Sequence, residues 1–330
     1  MLAVRYYGIG DVRAEQIEQV RPEEGQALIK VIYGGICGSD LHIYRVGMFV
    51  EKVPETMGHE FVGEIVSAPA GSGLAAGDLV AGDPRVVCGQ CAACLAGLSQ
   101  SCASLGFIGE VRPGCFGEYV ALEAEKLIKF SRKIDAKQAA LAEPLAVAVH
   151  AARRIAAEKV DNALVVGAGP IGLLIAFLLK HEYHFAQIGV TDIDDYRLGL
   201  AEKAGADRTG KDIALLAGQY DVLIDAVGQP KVFHSMLESA KPAARIHVSA
   251  VYEHIPECDL NELVHKELAL KGNNCYSFAD LQEAVDILSA EKYDFSWLIS
   301  RVLPAARAAE AFALLTAKEK QDMKILLDFS

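Results

Sequence analysis

The chain has 330 residues, 52% of them hydrophobic, with eight cysteines and a formal net charge of -12. That length exceeds one comfortable core and implies two domains. The acidic balance and the lack of any basic run exclude nucleic acid and an anionic membrane surface as partners.

The opening Met1-Leu2-Ala3-Val4-Arg5-Tyr6-Tyr7 lacks the charged region and apolar core of a signal peptide. Ala27 to Tyr33 and Phe61 to Val66 read as strands, and Gly71, Gly73, Gly77 and Gly82 punctuate a β-rich region. Within it lie Cys88, Cys91, Cys94 and Cys102, spaced C-x2-C-x2-C-x7-C, with Gly89, Ala92, Ala93 and Gly97 small enough for a tight loop. Zn²⁺ accepts four thiolates as a closed tetrahedron, so this loop is expected to fold around a structural zinc that does no chemistry. Two disulfides among residues three apart would be strained. Unpaired thiols without an export signal point to a reducing cytoplasm.

Ala139 to Ala152 reads as a helix with Pro144 near its front, and from Asn162 the texture changes. Ala163 to Val166 is a buried strand, Gly167 to Gly172 a tight turn, and Leu173 to Lys180 a helix. The apolar run from Ala163 to Leu179 carries three glycines and a proline and is slightly short for a membrane span. Strands at Gln187–Thr191, Tyr220–Asp225 and Arg245–Ser249 follow, with helices between (Tyr196 to Ala204 first), so a doubly wound parallel α/β sheet is expected. After Gly272 come a helix (Phe278 to Leu288), the Trp297–Val302 stretch, a helix (Ala305 to Leu315) and a last strand, Lys324–Asp328.

Gly167-x-Gly169-x-x-Gly172 gains meaning from its setting: a buried strand leads in, a helix leads out, and Asp192 ends the next strand. Gly167 permits the turn, Gly169 lets backbone approach a pyrophosphate, and Gly172 lets helix and strand pack closely. The diphosphate would lie on the helix N-terminus, at Pro170 and Ile171, where free N–H groups favour anions. Asp192 would accept from the adenosine ribose hydroxyls and repel a 2′-phosphate, which favours NAD over NADP. Arg197 is expected to pack on adenine. The structural alternative is an α/β turn with no nucleotide.

Three further metal-competent places are scattered: Cys37 in Gly34-Gly35-Ile36-Cys37-Gly38-Ser39-Asp40-Leu41-His42, His59 and Glu60 in Gly58-His59-Glu60, and Glu143 in Ala142-Glu143-Pro144-Leu145. Taken singly they also suit a buried thiol, a strand-end histidine and a helix-start carboxylate. Together with the four-cysteine lobe and the glycine turn, in this order along essentially the whole chain, they resemble the zinc-dependent medium-chain dehydrogenases/reductases. Within that alcohol dehydrogenase family they look most like the polyol and sugar-acid branch, L-idonate 5-dehydrogenase and sorbitol dehydrogenase included.

The resemblance implies a GroES-like catalytic domain (1–150, with the zinc lobe at 86–103), a Rossmann NAD-binding domain (151–275) and a return segment (276–330) that completes the first, with the active site in the cleft. It implies two zinc ions per chain. Cys37, His59 and Glu143 would hold the catalytic one, Glu60 acting as a nearby acid or exchangeable ligand, and Ser39 and His42 would form a proton relay. An open zinc acts as a Lewis acid, so the implied reaction is oxidation of a secondary alcohol of a sugar acid or polyol to a ketone, with hydride passing to NAD⁺. Arg45 is a candidate receiver for a substrate carboxylate, its alternative being a solvated loop arginine. Cys275 and Ile43 depart from the sorbitol pattern. L-threonine or a vicinal diol such as butanediol is the alternative substrate, and a zinc- and NAD-binding sensor without turnover the remote one. The resemblance also implies a homodimer or homotetramer. Cys115, Cys258 and Cys275 have no assigned task and read as buried structural thiols.

Overall fold

The computed structural model describes residues 1–132, 134–317 and 321–330. They fall into two compact units, Met1–Ala146 with Ser277–Ser330, and Val147–Tyr276.

The first unit is β-rich. Its elements run β1 (Leu2–Gly8), β2 (Asp11–Gln16), β3 (Gln26–Gly35), α1 (Gly38–Val46), β4 (Glu55–Thr56), β5 (Glu60–Ser67), β6 (Leu79–Gly82), β7 (Arg85–Val86), α2 (Ala92–Leu95), β8 (Gly106–Phe107), β9 (Tyr119–Glu123), β10 (Leu127–Lys129) and α3 (Ala136–Ala139). The helix α4 (Ala142–Ala156) leads on to the second unit. Sequence reading merged α3 with the start of α4, because the alanine run conceals the break at Ala140 and Leu141.

The second unit holds β11 (Asn162–Val166), α5 (Pro170–His181), β12 (Gln187–Thr191), α6 (Asp195–Ala201), β13 (Arg208–Gly210), α7 (Ile213–Leu216), β14 (Val222–Asp225), α8 (Pro230–Ser239), β15 (Arg245–Val248), α9 (Leu260–Lys266) and β16 (Ala269–Gly272). All six strands are parallel, in the order β13-β12-β11-β14-β15-β16. The order reverses between β11 and β14, which is where a doubly wound sheet binds its ligand, at the carboxyl ends of the strands. Leu164, Leu223, Ile246 and Met236 are fully buried in the core on these strands and α8. α5 begins at Pro170 rather than Leu173: proline at the first helical position has its φ preset and its missing N–H costs nothing there.

The chain then returns to the first unit with α10 (Phe278–Ala290), β17 (Ile299–Pro304), α11 (Ala308–Thr316) and β18 (Lys324–Asp328). The large sheet of that unit runs β10-β6-β5-β3-β18-β17, with β9 also on β3. Two strand registers bring distant residues together. β3 pairs β5 with Gly35 opposite Glu60, and β18 pairs β3 with Leu326 opposite Gly35. Residues 35–37, 60 and 324 therefore meet at one end of β3, over a core that includes Ile29, Val31, Phe61, Phe116 and Ile325. Among the described residues no helix is long and apolar enough to cross a membrane.

Candidate active site and zinc centres

At that strand end Cys37, His59 and Glu60 each present a ligand atom within 4.8 Å of the others. Cys37 is the N-cap of α1, where Asp40 closes a reciprocal box by accepting from Cys37 N at 2.8 Å. The other oxygen of Asp40 lies 3.9 Å from His59 Nδ1, with no hydrogen-bond partner for either atom. Asp40 thus faces Nδ1 and leaves Nε2 toward Cys37 and Ser39, whose Oγ stands 3.4 Å away. A carboxylate behind a ligating imidazole fixes its tautomer and raises its basicity.

Glu60 owes its place to Gly35, because any Cβ on Gly35 would collide with the Glu60 carboxylate. Both Glu60 oxygens accept from Lys324 Nζ, at 2.7 and 2.5 Å, and the same ammonium donates to Ile36 O at 3.0 Å. Glu143, buried in the first turn of α4, lies outside the 4.8 Å trio. Sequence reading placed Glu143 with Cys37 and His59 and kept Glu60 as a nearby acid or exchangeable ligand; the donor atoms that lie within 4.8 Å of one another are those of Cys37, His59 and Glu60. Glu143 is nevertheless close enough that its charge helps to raise the pKa of both His59 and Lys324.

Electrostatically the site holds more acidic groups than cations. Cys37, Asp40, Glu60 and Glu143 are acidic groups packed around one lysine and one imidazole. Burial pulls His59 down, but Cys37 and Asp40 outweigh it and hold the imidazole well above its ordinary pKa. Burial also pulls Lys324 down, and Glu60 more than restores it. Asp40 is pushed up by burial. Such a set of one sulfur, one imidazole nitrogen and carboxylate oxygens fits a zinc ion, whose charge would relieve the excess of acid.

The four lobe cysteines also lie within 4.8 Å of one another by their sulfurs. Cys88 N donates to Cys102 Sγ at 3.3 Å, Cys91 N to Cys88 Sγ at 3.3 Å, and Ser104 N to Cys102 Sγ at 3.4 Å. Backbone donors at Ala103 and Cys94 bring Cys91 down to about 6, while burial pushes Cys94 up to about 12. Backbone N–H groups aimed at sulfur favour thiolates, and four converging thiolates suit a closed zinc site. None of the eight cysteines, all among the described residues, is in a disulfide.

In the second unit the glycine turn has the shape a dinucleotide needs. Gly167 has φ +102°, and a Cβ there would press on Ala226 and Val227. A Cβ on Gly172 would strike Gly167 O, whereas Gly169, the N-cap of α5, faces open space and has no side-chain cap. That space and the uncapped N–H groups fit a pyrophosphate. Asp192, at the end of β12, accepts from Ala168 N at 2.8 Å and Asp194 N at 3.0 Å, with Arg197 Nη1 3.7 Å away. The acid is thereby locked beside the turn.

His42 and Arg45 lie on α1, with Arg45 Nη2 3.2 Å from His42 Nδ1. Sequence reading missed three residues. Asp40 carried a signal, an acid three residues after the Cys37 that precedes the helix, a variant of the capping box with cysteine at the cap. Lys324 carried none, being 264 positions from Glu60. Nor did Glu110, a buried acid near His59 and Asp40.

Two family models match the chain, the alcohol dehydrogenase GroES-like domain over residues 23–132 and the zinc-binding dehydrogenase domain over residues 170–290. The chain is 33% identical over 340 residues to 2-dehydro-3-deoxy-L-galactonate 5-dehydrogenase of Pseudoalteromonas atlantica, covering 99% of this chain and 98% of that one. It is also 33% identical to L-threonine 3-dehydrogenase of Coxiella burnetii, over 89% of this chain and 90% of the relative. Among solved structures it resembles L-idonate 5-dehydrogenase of Escherichia coli, with TM-score 0.90, 27% identity, and 99% and 97% of the two chains covered.

Proposed function

We propose that this chain, which belongs to the zinc-dependent medium-chain alcohol dehydrogenase family, oxidises a secondary hydroxyl of a sugar acid or polyol to a ketone with NAD⁺ as acceptor. It is an oxidoreductase acting on an alcohol. The observation that carries the reading is the convergence of Cys37, His59 and Glu60 donor atoms within 4.8 Å in an acid-rich pocket beside Ser39.

Cys37 and His59, with Glu143 and Glu60 as carboxylate partners, would hold the catalytic zinc, and Cys88, Cys91, Cys94 and Cys102 the structural one. When bound, the catalytic ion supplies Lewis acidity to the substrate oxygen and the dinucleotide supplies the hydride acceptor. The chain itself does the positioning and the proton transfer. Asp40, behind Nδ1, would keep His59 Nε2 turned toward the position the zinc would take beside Cys37. Ser39 Oγ, beside that nitrogen, receives the hydroxyl proton and passes it toward His42, which is half-buried and can release it to solvent. Loss of that proton makes the carbinol carbon a hydride donor, and the oxygen becomes the ketone. Lys324 holds Glu60 so that its carboxylate is at hand without being a free buried anion. Asp192 supports NAD over NADP, since a 2′-phosphate would meet its charge.

A sugar acid or polyol is supported by the galactonate-type relative, and L-threonine by the threonine dehydrogenase at the same identity. The test is reduced-cofactor absorbance with L-idonate, L-gulonate, D-gluconate, sorbitol, xylitol, L-threonine and 2,3-butanediol, with NADP⁺ in parallel. Highest kcat/KM on a sugar acid or polyol is expected. Preference for threonine keeps the chemistry and overturns the substrate, and silence throughout with no NAD⁺ bound overturns the enzyme reading. A homo-oligomer is part of the same proposal, checked by mass in solution.

A further inference from the structure

One buried acid beside this site has no task in the zinc sets or the proton path. Glu110 is only 7% exposed. It sits in the turn after β8, where Glu110 N donates to Phe107 O at 3.1 Å and Gly109 N to Arg112 O at 2.6 Å. That turn is pressed onto the His59 segment. A Cβ on Gly109 would lie 2.7 Å from Gly58 N and O, and the Phe107 ring packs 5.5 Å from the His59 ring. Residues 107–110 therefore form a wall beside the metal-facing imidazole.

No lysine or arginine among the described residues pairs with Glu110, unlike Glu60, Glu123 and Asp83. Burial raises its carboxyl to about 7, with Asp40 pushing the same way and His59 pulling back, so the group lies within electrostatic reach of both. A buried carboxyl without a cation is costly for stability. Its polar support among the described residues is the backbone at Phe107. A hydrogen-bond donor from outside the chain would complete it.

We propose that Glu110 is a specificity-determining residue that binds the hydrogen-bond donor on the carbon next to the one being oxidised. This rests on the site being that of an alcohol dehydrogenase and narrows its substrate class to alcohols with a vicinal donor, a hydroxyl or an ammonium. A methylene in that place would leave the acid unsatisfied, and a carboxylate there would be repelled. A sugar acid fits when it is oxidised far from its carboxylate. Lactate-type 2-hydroxy acids do not.

The test compares 2,3-butanediol with 2-butanol, which differ by one vicinal hydroxyl, and adds L-threonine as the ammonium case. A hydrogen bond to a charged group contributes about 1.5–3 kcal/mol, or roughly 10- to 150-fold, so the wild-type kcat/KM ratio of diol to mono-alcohol should be of that order. In Glu110→Leu the ratio should fall at least tenfold, mainly through the KM of the diol. Glu110→Gln, which keeps shape and polarity, should lie between and serves if the leucine variant does not fold. Calorimetric binding of the diol to the enzyme–NADH complex should weaken in parallel, with zinc content still two per chain. If threonine alone shows the Glu110 dependence, the donor is an ammonium. Ratios and diol binding unchanged in both variants would overturn the inference while leaving the dehydrogenase standing. No turnover of any alcohol by wild type would overturn the functional reading and this inference with it.

Discussion

Lys324→Met isolates the buried ion pair at the heart of the site. Lys324 is 2% exposed and its ammonium makes three contacts, two to Glu60 and one to Ile36 O. Methionine matches the stem but leaves the Glu60 carboxylate buried beside Cys37, Asp40 and Glu143 with no counter-charge. Breaking a buried pair from one side costs about 3–5 kcal/mol. With an unfolding slope of about 2–3 kcal/mol per molar urea, the midpoint of metal-stripped protein should fall by about 1–2.5 M. Trp297, the only tryptophan, lies in the same unit and reports the transition by fluorescence. A bound zinc supplies the missing positive charge, so the loss should be smaller in zinc-loaded protein and zinc should bind the variant more tightly by the difference. Adding Glu60→Gln should recover most of the loss, since the two residues act as one unit. A loss below about 1 kcal/mol in stripped protein, against the cost expected for a one-sided break, would refute the reasoning. So would an equal loss with and without zinc.

Three other outcomes rest on named contacts. Cys102→Ala should reduce zinc from two to one per chain by mass spectrometry and lower the thermal midpoint, because a four-thiolate site contributes folding energy directly; retention of two would show the lobe is not a zinc site. Asp192→Ala removes the acceptor of two backbone N–H groups and the charge that, in the proposed reading, would face a 2′-phosphate. Fluorescence titration should show NADH bound roughly tenfold more weakly, about one charged hydrogen bond, and NADPH relatively better; an unchanged ratio would contradict the assignment. Glu123 is opposed by burial, yet Arg112 and Lys126 bring it from 4.5 to about 2. Its folded pKa is depressed, so the stability it adds is full above about 4.5 and is lost as pH falls toward 2. Because both side chains are about one-third exposed, screening reduces the contribution to about 1 kcal/mol. Arg112→Gln should cost that much at pH 7 and progressively less below pH 4.5 in urea unfolding.

The parallel sheet was legible because β11, β12, β14 and β15 are short β-branched runs separated by helical stretches, a pattern set by burial on both faces. The donor motifs were legible because each is local: C-x2-C-x2-C, Gly-His-Glu, Gly-x-Gly-x-x-Gly. What the chain order hides is which distant groups meet. Lys324 reaches Glu60 only because β18 returns beside β3, and Gly35 looks like any turn glycine until Glu60 is seen against it. Glu110 reads as a loop acid, since burial of a turn residue depends on what lies above it. The Trp297–Val302 stretch, given no type from sequence, divides into the end of a 3₁₀ turn at Ser296–Leu298 and the start of β17 at Ile299.

The central claim is that Cys37 and His59 anchor a catalytic zinc distinct from the one in the cysteine lobe. The direct measurement is metal content and NADH formation in wild type and Cys37→Ala, each carried through the same zinc-replete preparation. Two zincs per chain falling to one, NADH formation from the best alcohol falling by roughly 10³ or more, the several kcal/mol a Lewis acid supplies, and an unchanged NADH affinity are expected. A Cys37→Ala protein that keeps both zincs and its turnover would contradict the account.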